Sequence, residues 1–294
     1  MQYTYPLYRP PSEANNLILQ ITEGCSFNRC SFCSMYRSKT FAEKPVEKVL
    51  DDITSAAQHN PDIRRVFLAD GDALYRDTGT LLTILAKLYQ SFPKLNRVSS
   101  YALPNNLIVK TSEELRTLYE AGLQLIYYGI ETGSNELLKC ITKGATSNKI
   151  IEGIQKASDA GLKVSATVIL GLGGRHYWQE HIEQTAAMVN QLNLNYLSTL
   201  QLTLDEQIHD EYLEKFSRRG RNFEPQSDLA ILQEQKLLIS LIQPTKPVIF
   251  RSNHASNALP LKGVLPKDRT MLQQQLNAAS NDNSKMIPSW LRQL

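Results

Sequence analysis

The chain has 294 residues, 42% of them apolar and 21% charged, with a formal net charge of +3. That length is enough for a sizeable core, the composition is that of a folded chain rather than a disordered one, and the charge is too small to require a nucleic-acid partner. No apolar run approaches the roughly 18 residues of a membrane helix, and residues 1–16 lack the basic-then-apolar pattern of a secretion signal, so a cytoplasmic protein without membrane contact is expected.

Residues 17–21 read as a first strand. Val46, Val49, Leu50, Ile53 and Ala57 then recur at helical spacing after Pro45. A second strand is predicted at 66–69, a helix at 79–90 and a third strand at 97–103. Thr111 and Glu114 form a capping-box pattern that opens a helix, and Gly122 closes it. A fourth strand is predicted at 125–130, a helix from 147 to 161, a fifth strand at 164–170, a helix near 179–191 and a sixth strand at 196–202. Residues 205–225 are polar and charged and carry no predicted element. A helix is expected at 229–242, a short strand at 247–250 and a last helix from Pro266. Alternation at about 30-residue steps implies a parallel sheet with helical crossovers, either open and doubly wound or forming most of a barrel. In both, ligands gather at the C-terminal ends of the strands.

Three of the four cysteines, Cys25, Cys30 and Cys33, follow the first strand with C-x4-C-x2-C spacing. Thiolates suit iron–sulfur clusters or zinc. A zinc site usually pairs two C-x2-C elements, and here there is one. A redox C-x-x-C would leave Cys25 unexplained. A plant-type ferredoxin shares the spacing but needs a fourth cysteine, and only Cys140 remains, far along the chain between Leu137, Leu138 and Ile141. Cys140 is read as a half-buried helix residue rather than a ligand. An iron–sulfur site with one open position is the favoured reading.

With Phe32 immediately before Cys33, the cluster resembles the signature of the radical S-adenosylmethionine (radical SAM) superfamily, C-x3-C-x-aromatic-C after the first strand of a partial (β/α)6 barrel. The sequence carries one extra residue between the first two cysteines, a C-x4-C-x2-C variant that occurs in that superfamily. Other elements follow in order. Gly71 and Asp72, in Ala69-Asp70-Gly71-Asp72, resemble a degenerate form of the motif that meets the SAM amine. Gly129-Ile130-Glu131-Thr132-Gly133-Ser134 is similar to an element of the branch containing oxygen-independent coproporphyrinogen dehydrogenase and the elongator-type catalytic subunit. Lys143 resembles the cation that pairs with the SAM carboxylate. The run containing Ile169 and Gly171 resembles the fifth-strand element that packs on the adenine.

The resemblance implies an α/β fold, a partial (β/α)6 TIM-like barrel over residues 1–205. Residues 206–294 are expected to form a C-terminal α/β extension that packs on it as one structural unit. It implies one [4Fe–4S] cluster on Cys25, Cys30 and Cys33. The cofactor-binding residues would be Phe32, Gly71, Asp72, Glu131, Lys143, Ile169 and Gly171. S-adenosyl-L-methionine would be cleaved reductively to a 5′-deoxyadenosyl radical, with electrons from a donor such as flavodoxin or ferredoxin. Each supporting residue has a structural alternative: Glu131 as a helix cap, Asp72 as a turn residue, Lys143 as a solvated lysine. Tyr101, Asn105, Arg251, His254 and Asn257 are candidates to face a small-molecule substrate, although Ser252, Asn253, Ser256 and Asn257 also suit a hydrogen-bonded turn. An iron–sulfur carrier or sensor without SAM turnover, and an enzyme modifying RNA, are the competing functions. The short basic run Arg218-Arg219-Gly220-Arg221 gives the latter little support.

Overall fold

The computed structural model describes residues 1–292. In chain order the elements are β1 (Leu17–Gln20), the two-residue strands β2 (Thr22–Glu23) and β3 (Ala42–Glu43), α1 (Val46–His59), β4 (Arg65–Ala69), α2 (Thr78–Ser91), β5 (Arg97–Ala102), α3 (Pro104–Val109), α4 (Ser112–Glu120), β6 (Leu123–Glu131), α5 (Asn135–Cys140), α6 (Ser147–Asp159), β7 (Lys163–Leu170), α7 (Gly174–Val189), β8 (Tyr196–Gln201), α8 (Glu206–Ser217), α9 (Asp228–Leu241), β9 (Val248–Ser252), β10 (Leu261–Leu265) and α10 (Arg269–Asn281). Eight of these strands belong to a mostly parallel sheet. All six predicted parallel strands are present.

Two compact units are distinguished. The first comprises Met1–Asn28, Met35–Tyr128 and Glu152–Val164; the second comprises Arg29–Ser34, Gly129–Ile151 and the chain from Ser165 on. In the first unit, β1 pairs in parallel with β4, β4 with β5, and β5 with β6. Alternation sends Leu19, Val66, Leu68 and Val98 into a fully buried layer, as strands covered by crossover helices require. Helix α1 buries Val49, Ile53 and Ala56, a stripe at helical spacing. On the opposite sheet face, Phe67 meets Tyr101 edge-on, with ring centroids 5.0 Å apart. Tyr3 and Leu7 of the N-terminal segment pack on the same aromatic set.

In the second unit, β7 pairs in parallel with β8 and β8 with β9, and β9 closes with the antiparallel β10. Helix α9 packs on both α7 and α10. One sheet face turns toward α9, because Gln235 donates to Thr199 Oγ1 at 3.0 Å and to Ser252 Oγ at 2.6 Å.

Several elements differ from expectation. Helix α8 occupies part of the charged stretch read as irregular. Its buried residues, Ile208, Tyr212 and Phe216, are spaced by four, and the intervening acids mask that stripe. Helix α7 begins at Gly174 rather than near 179, and a short helix, α3, begins at Pro104, where no element was predicted. Strand β10 has no counterpart in the sequence reading, since Lys262 and Gly263 interrupt its apolar pattern. The capping box is formed as read: Thr111 Oγ1 accepts from Glu114 N at 3.1 Å, and Glu114 accepts from Thr111 N at 2.8 Å.

Gly133 lies against α7, where a Cβ would overlap the backbone of Gln184 and Thr185. Backbone cannot yield as a flexible side chain does. Gly133→Ala is expected to cost about 1–3 kcal/mol of stability, read as a lower urea midpoint at unchanged slope.

Candidate functional site

Within the first unit, the chain approaches Cys25 through Gly24, whose φ of +71° lies in the left-handed region that glycine tolerates. Asp70, immediately after β4, is fully buried. Its Oδ2 accepts from Gly24 N at 3.1 Å, Lys39 Nζ at 2.7 Å and Gln20 Nε2 at 3.3 Å. One carboxylate thus holds the chain both before Cys25 and after Cys33. Tyr36 lies against Gly71 so closely that any Cβ there would strike its ring. Asp72 accepts from the Ser26 hydroxyl, one residue beyond Cys25. Burial pushes the Asp72 carboxyl up to about 6, with hydrogen bonds from Ser26 and Asn106 and the Lys110 charge opposing the shift.

Asp70 Oδ1 and Asp72 Oδ1 are both buried without a hydrogen-bond partner among the described residues. Buried unsatisfied acceptors are costly, and each of these two oxygens could take an ammonium or N–H donor. Tyr101 stands on β5 in the aromatic set. Asn105 is exposed on α3, whereas the adjacent Asn106 is buried and reaches Asp72.

Within the second unit, Ser31 N donates to Ile141 O at 3.0 Å, which fixes the cysteine loop against the end of α5. Cys33 N donates to Cys30 O at 3.2 Å, closing a tight turn between those two thiols. Lys143 is buried and pairs with Glu131 at 2.7 Å, and its Nζ lies 5.8 Å from the centroid of Phe32. Burial disfavours the ammonium, but Glu131, Cys30 and Cys33 outweigh it and hold the Lys143 pKa above the ordinary lysine value. Glu131 has φ +63° and Thr142, next to the lysine, φ +53°. Each such non-glycine residue costs of order 1–3 kcal/mol, so the surroundings impose the conformation. A Cβ at Gly129 would collide with the Glu131 carboxylate, which explains the glycine two residues earlier.

A second buried network joins the neighbouring strand ends. His181 on α7 donates from Nε2 to Ile169 O at 2.9 Å, so its Nδ1 accepts from the Thr132 hydroxyl at 2.8 Å. Thr185 Oγ1 accepts from Gly133 N at 2.8 Å. Glu234 on α9 accepts from Gly171 N at 2.8 Å. Burial pushes Glu234 up to about 8 and His181 down to about 4. Glu234 Oε2 and Gln226 Oε1 have no partner among the described hydrogen bonds, and a proton on Glu234 would let it donate to Gln226.

Ile169 and Cys140 both lie in the apolar cluster on which Phe32 packs. Cys140, at the end of α5, is fully buried there rather than half-buried as expected. His254 Nδ1 is engaged inside its own turn by Ser256, at 2.9 Å to the hydroxyl. Asn257 is buried, accepting from Gln201 N at 2.7 Å and donating to Thr199 O at 2.8 Å. Arg251 is half-buried on the other face of β9.

Cys25, Cys30 and Cys33 are partly exposed and not disulfide-bonded. No group of three or more His, Cys, Asp or Glu side chains forms a closed metal cage among the described residues. The donor chemistry nevertheless fits an iron–sulfur cluster: soft sulfur donors on one loop, no fourth protein thiol within that loop, and a buried cation in electrostatic reach of Cys30 and Cys33. Residues that the sequence reading did not single out are Ser26, Lys39, Asp70, Asn106, His181 and Glu234. The only local signal was the Asp-Gly-Asp run.

The profile of the radical SAM superfamily matches residues 19–189, and the chain belongs to that superfamily. A putative methylthiotransferase of Methanocaldococcus jannaschii is 25% identical over 209 residues, which cover 67% of this chain and 41% of that protein. Among solved structures, coproporphyrinogen III oxidase (HemN) of Escherichia coli, described as a radical SAM enzyme, aligns with TM-score 0.57 and 17% identity. That alignment covers 76% of this chain and 52% of HemN. The radical SAM methyltransferase TsrM of Kitasatospora setae, with cobalamin and a [4Fe–4S] cluster bound, aligns with TM-score 0.58 and 14% identity over 90% of this chain and 61% of that one. These structures share the α/β, TIM-like barrel fold. The chain spans less than half the length of the curated relative.

The buried pair makes stability depend on pH with a definite sign. Glu234 binds its proton more tightly folded than unfolded, so its contribution is complete below about 4.5 and is lost as pH rises through about 8. His181 acts oppositely: its contribution is present above 6.5 and is lost as pH falls through about 4. The melting temperature is expected to decline between pH 6.5 and pH 9, and the decline to be smaller in Glu234→Gln. Equal slopes in the two proteins would count against a protonated Glu234.

Proposed function

We propose that this protein is a radical SAM enzyme that holds one [4Fe–4S] cluster on Cys25, Cys30 and Cys33 and acts on a small-molecule substrate. The observation that carries this reading is the C-x4-C-x2-C loop following the first parallel strand of a chain that belongs to the superfamily. When bound, the cluster would supply one electron to cleave S-adenosyl-L-methionine, yielding the 5′-deoxyadenosyl radical that takes a hydrogen atom from substrate. The chain's own residues bind and orient. Cys25, Cys30 and Cys33 would hold the irons, leaving one position for SAM. The carbonyl groups near Gly71 and the carboxylate of Asp72 would receive its amine. Lys143, kept cationic by Glu131, would meet its carboxylate. Phe32, Ile169 and Gly171 would line its apolar side and exclude water.

Residues 1–205 would form the catalytic core and residues 206–294 the extension that completes the substrate side. The electron donor would be a small reductant of the flavodoxin or ferredoxin kind, and the protein would act in the cytoplasm. No described helix is long and apolar enough to cross a membrane.

Two measurements test the reading. Anaerobically reconstituted protein is expected to contain about four irons per chain, and to release 5′-deoxyadenosine when reduced with SAM. Cys30→Ala is expected to lose both properties; retention of SAM cleavage would overturn the assignment. In the reduced protein, SAM is expected to alter the EPR signal. An unchanged signal would instead identify an electron carrier or sensor.

A further inference from the structure

The face of the second unit's strands turned away from α9 carries a row of groups that the proposed cofactor chemistry does not use. Thr167 on β7 is in register with Ser198 on β8, Ser198 with Arg251 on β9, and Arg251 with Lys262 on β10. Residues in register share a sheet face, because side chains alternate with a period of two. The burial pattern agrees: Ala166, Val168, Leu197, Val248 and Phe250 are buried, whereas Thr167, Ser198 and Arg251 are half-buried and Lys262 is exposed. The buried set faces the helices, since Gln235 of α9 reaches Thr199 and Ser252.

Two hydroxyls and two cations therefore lie side by side across four strands. Arg251 and Lys262 form a directly opposed cross-strand pair of like charge, an arrangement that is unfavourable by itself. No carboxylate pairs with either among the described residues. Asp268, the acid near β10, accepts from Val264 N at 2.7 Å. It lies against Gly263, which pairs with Phe250 on the helix-facing side. Arg251 commits one N–H to Phe250 O at 3.0 Å, and its other donors have no partner among the described hydrogen bonds. Two cations facing each other without a counter-charge are accommodated readily when an anion sits between them.

The position suits a substrate. Thr167 lies two residues before Ile169 on the same face of β7, about 7 Å along the strand. Ile169 belongs to the apolar cluster on which Phe32, the neighbour of Cys33, packs.

We propose that Thr167, Ser198, Arg251 and Lys262 form an oxyanion-binding row that receives a carboxylate or phosphoryl group of the substrate. The inference builds on the radical SAM reading by naming the chemical class of what is bound: an anionic small molecule held on the strand face by a guanidinium, an ammonium and two hydroxyls.

Phenylglyoxal labelling of arginines, followed by peptide mass spectrometry, tests this in the full-length anaerobic protein without SAM. At matched ionic strength, inorganic phosphate or acetate is expected to slow labelling of Arg251 at least threefold relative to chloride. Labelling of Arg218, a surface residue paired with Glu214, should not change. Stronger protection by phosphate would indicate a phosphoryl group, and stronger protection by acetate a carboxylate. Ser198→Ala, checked for an unchanged melting temperature, should weaken the protection. Equal labelling of Arg251 in phosphate, acetate and chloride would overturn the proposal. Because SAM takes no part, unprotected Arg251 in a protein that cleaves SAM would remove the anion row alone, and protection in a protein that does not would leave the row standing.

Discussion

The cysteine loop is fastened by one buried carboxylate. Asp70 has no exposed surface, yet it takes hydrogen bonds from Gly24, Lys39 and Gln20. An isolated ionised carboxylate in such a place would be strongly disfavoured, so the ion pair with Lys39 and the backbone N–H of Gly24 are conditions for its being there. The geometry works in both directions. Asp70 needs those donors, and the donors belong to the chain on either side of the thiols. Disrupting the pair would leave a buried charge uncompensated and release the loop at the same time. Presentation of Cys25 is thereby tied to the end of β4, where the acceptor atoms of Asp70 and Asp72 stand.

The strand ends of the second unit follow a similar logic with different chemistry. Glu131 has a left-handed backbone conformation and pairs with Lys143. The turns after β6 and β7 are stitched by His181, Thr185 and Glu234. Inside a protein each of these hydrogen bonds is stronger than in water, and a missing partner is correspondingly costly. Such networks favour one arrangement over many. A site that must hold a reactive species in a fixed place gains from that rigidity.

What could be read in advance follows from how local each signal is. Strands β1 and β4 to β8 announce themselves through apolar runs between helical stripes, and the Thr111–Glu114 box is a four-residue pattern that needs no tertiary information. The cysteine spacing is equally local. Helix α8 was hidden because only Ile208, Tyr212 and Phe216 are buried, with mostly charged residues between them, and β10 because Lys262 and Gly263 break its apolar run. The supporting residues are long-range. Asp70 meets Lys39 across 31 positions and Glu234 meets Gly171 across 63, separations on which a sequence pattern gives no purchase. Asn105 and Asn106 show the limit most sharply: adjacent and chemically identical, one is exposed and the other reaches Asp72, and only the winding of α3 distinguishes them.

Cys140 has a practical meaning apart from catalysis. It is sealed in the apolar cluster, and burial raises its thiol pKa, so its thiolate, the form that reacts with alkylating or oxidising reagents, is scarce in the folded chain. The three loop cysteines are partly exposed. Any thiol count on native protein therefore reports the loop alone, and the same count after unfolding adds one. The chain carries its own internal standard, against which the occupancy and oxidative loss of the loop thiols can be scaled without a reference protein.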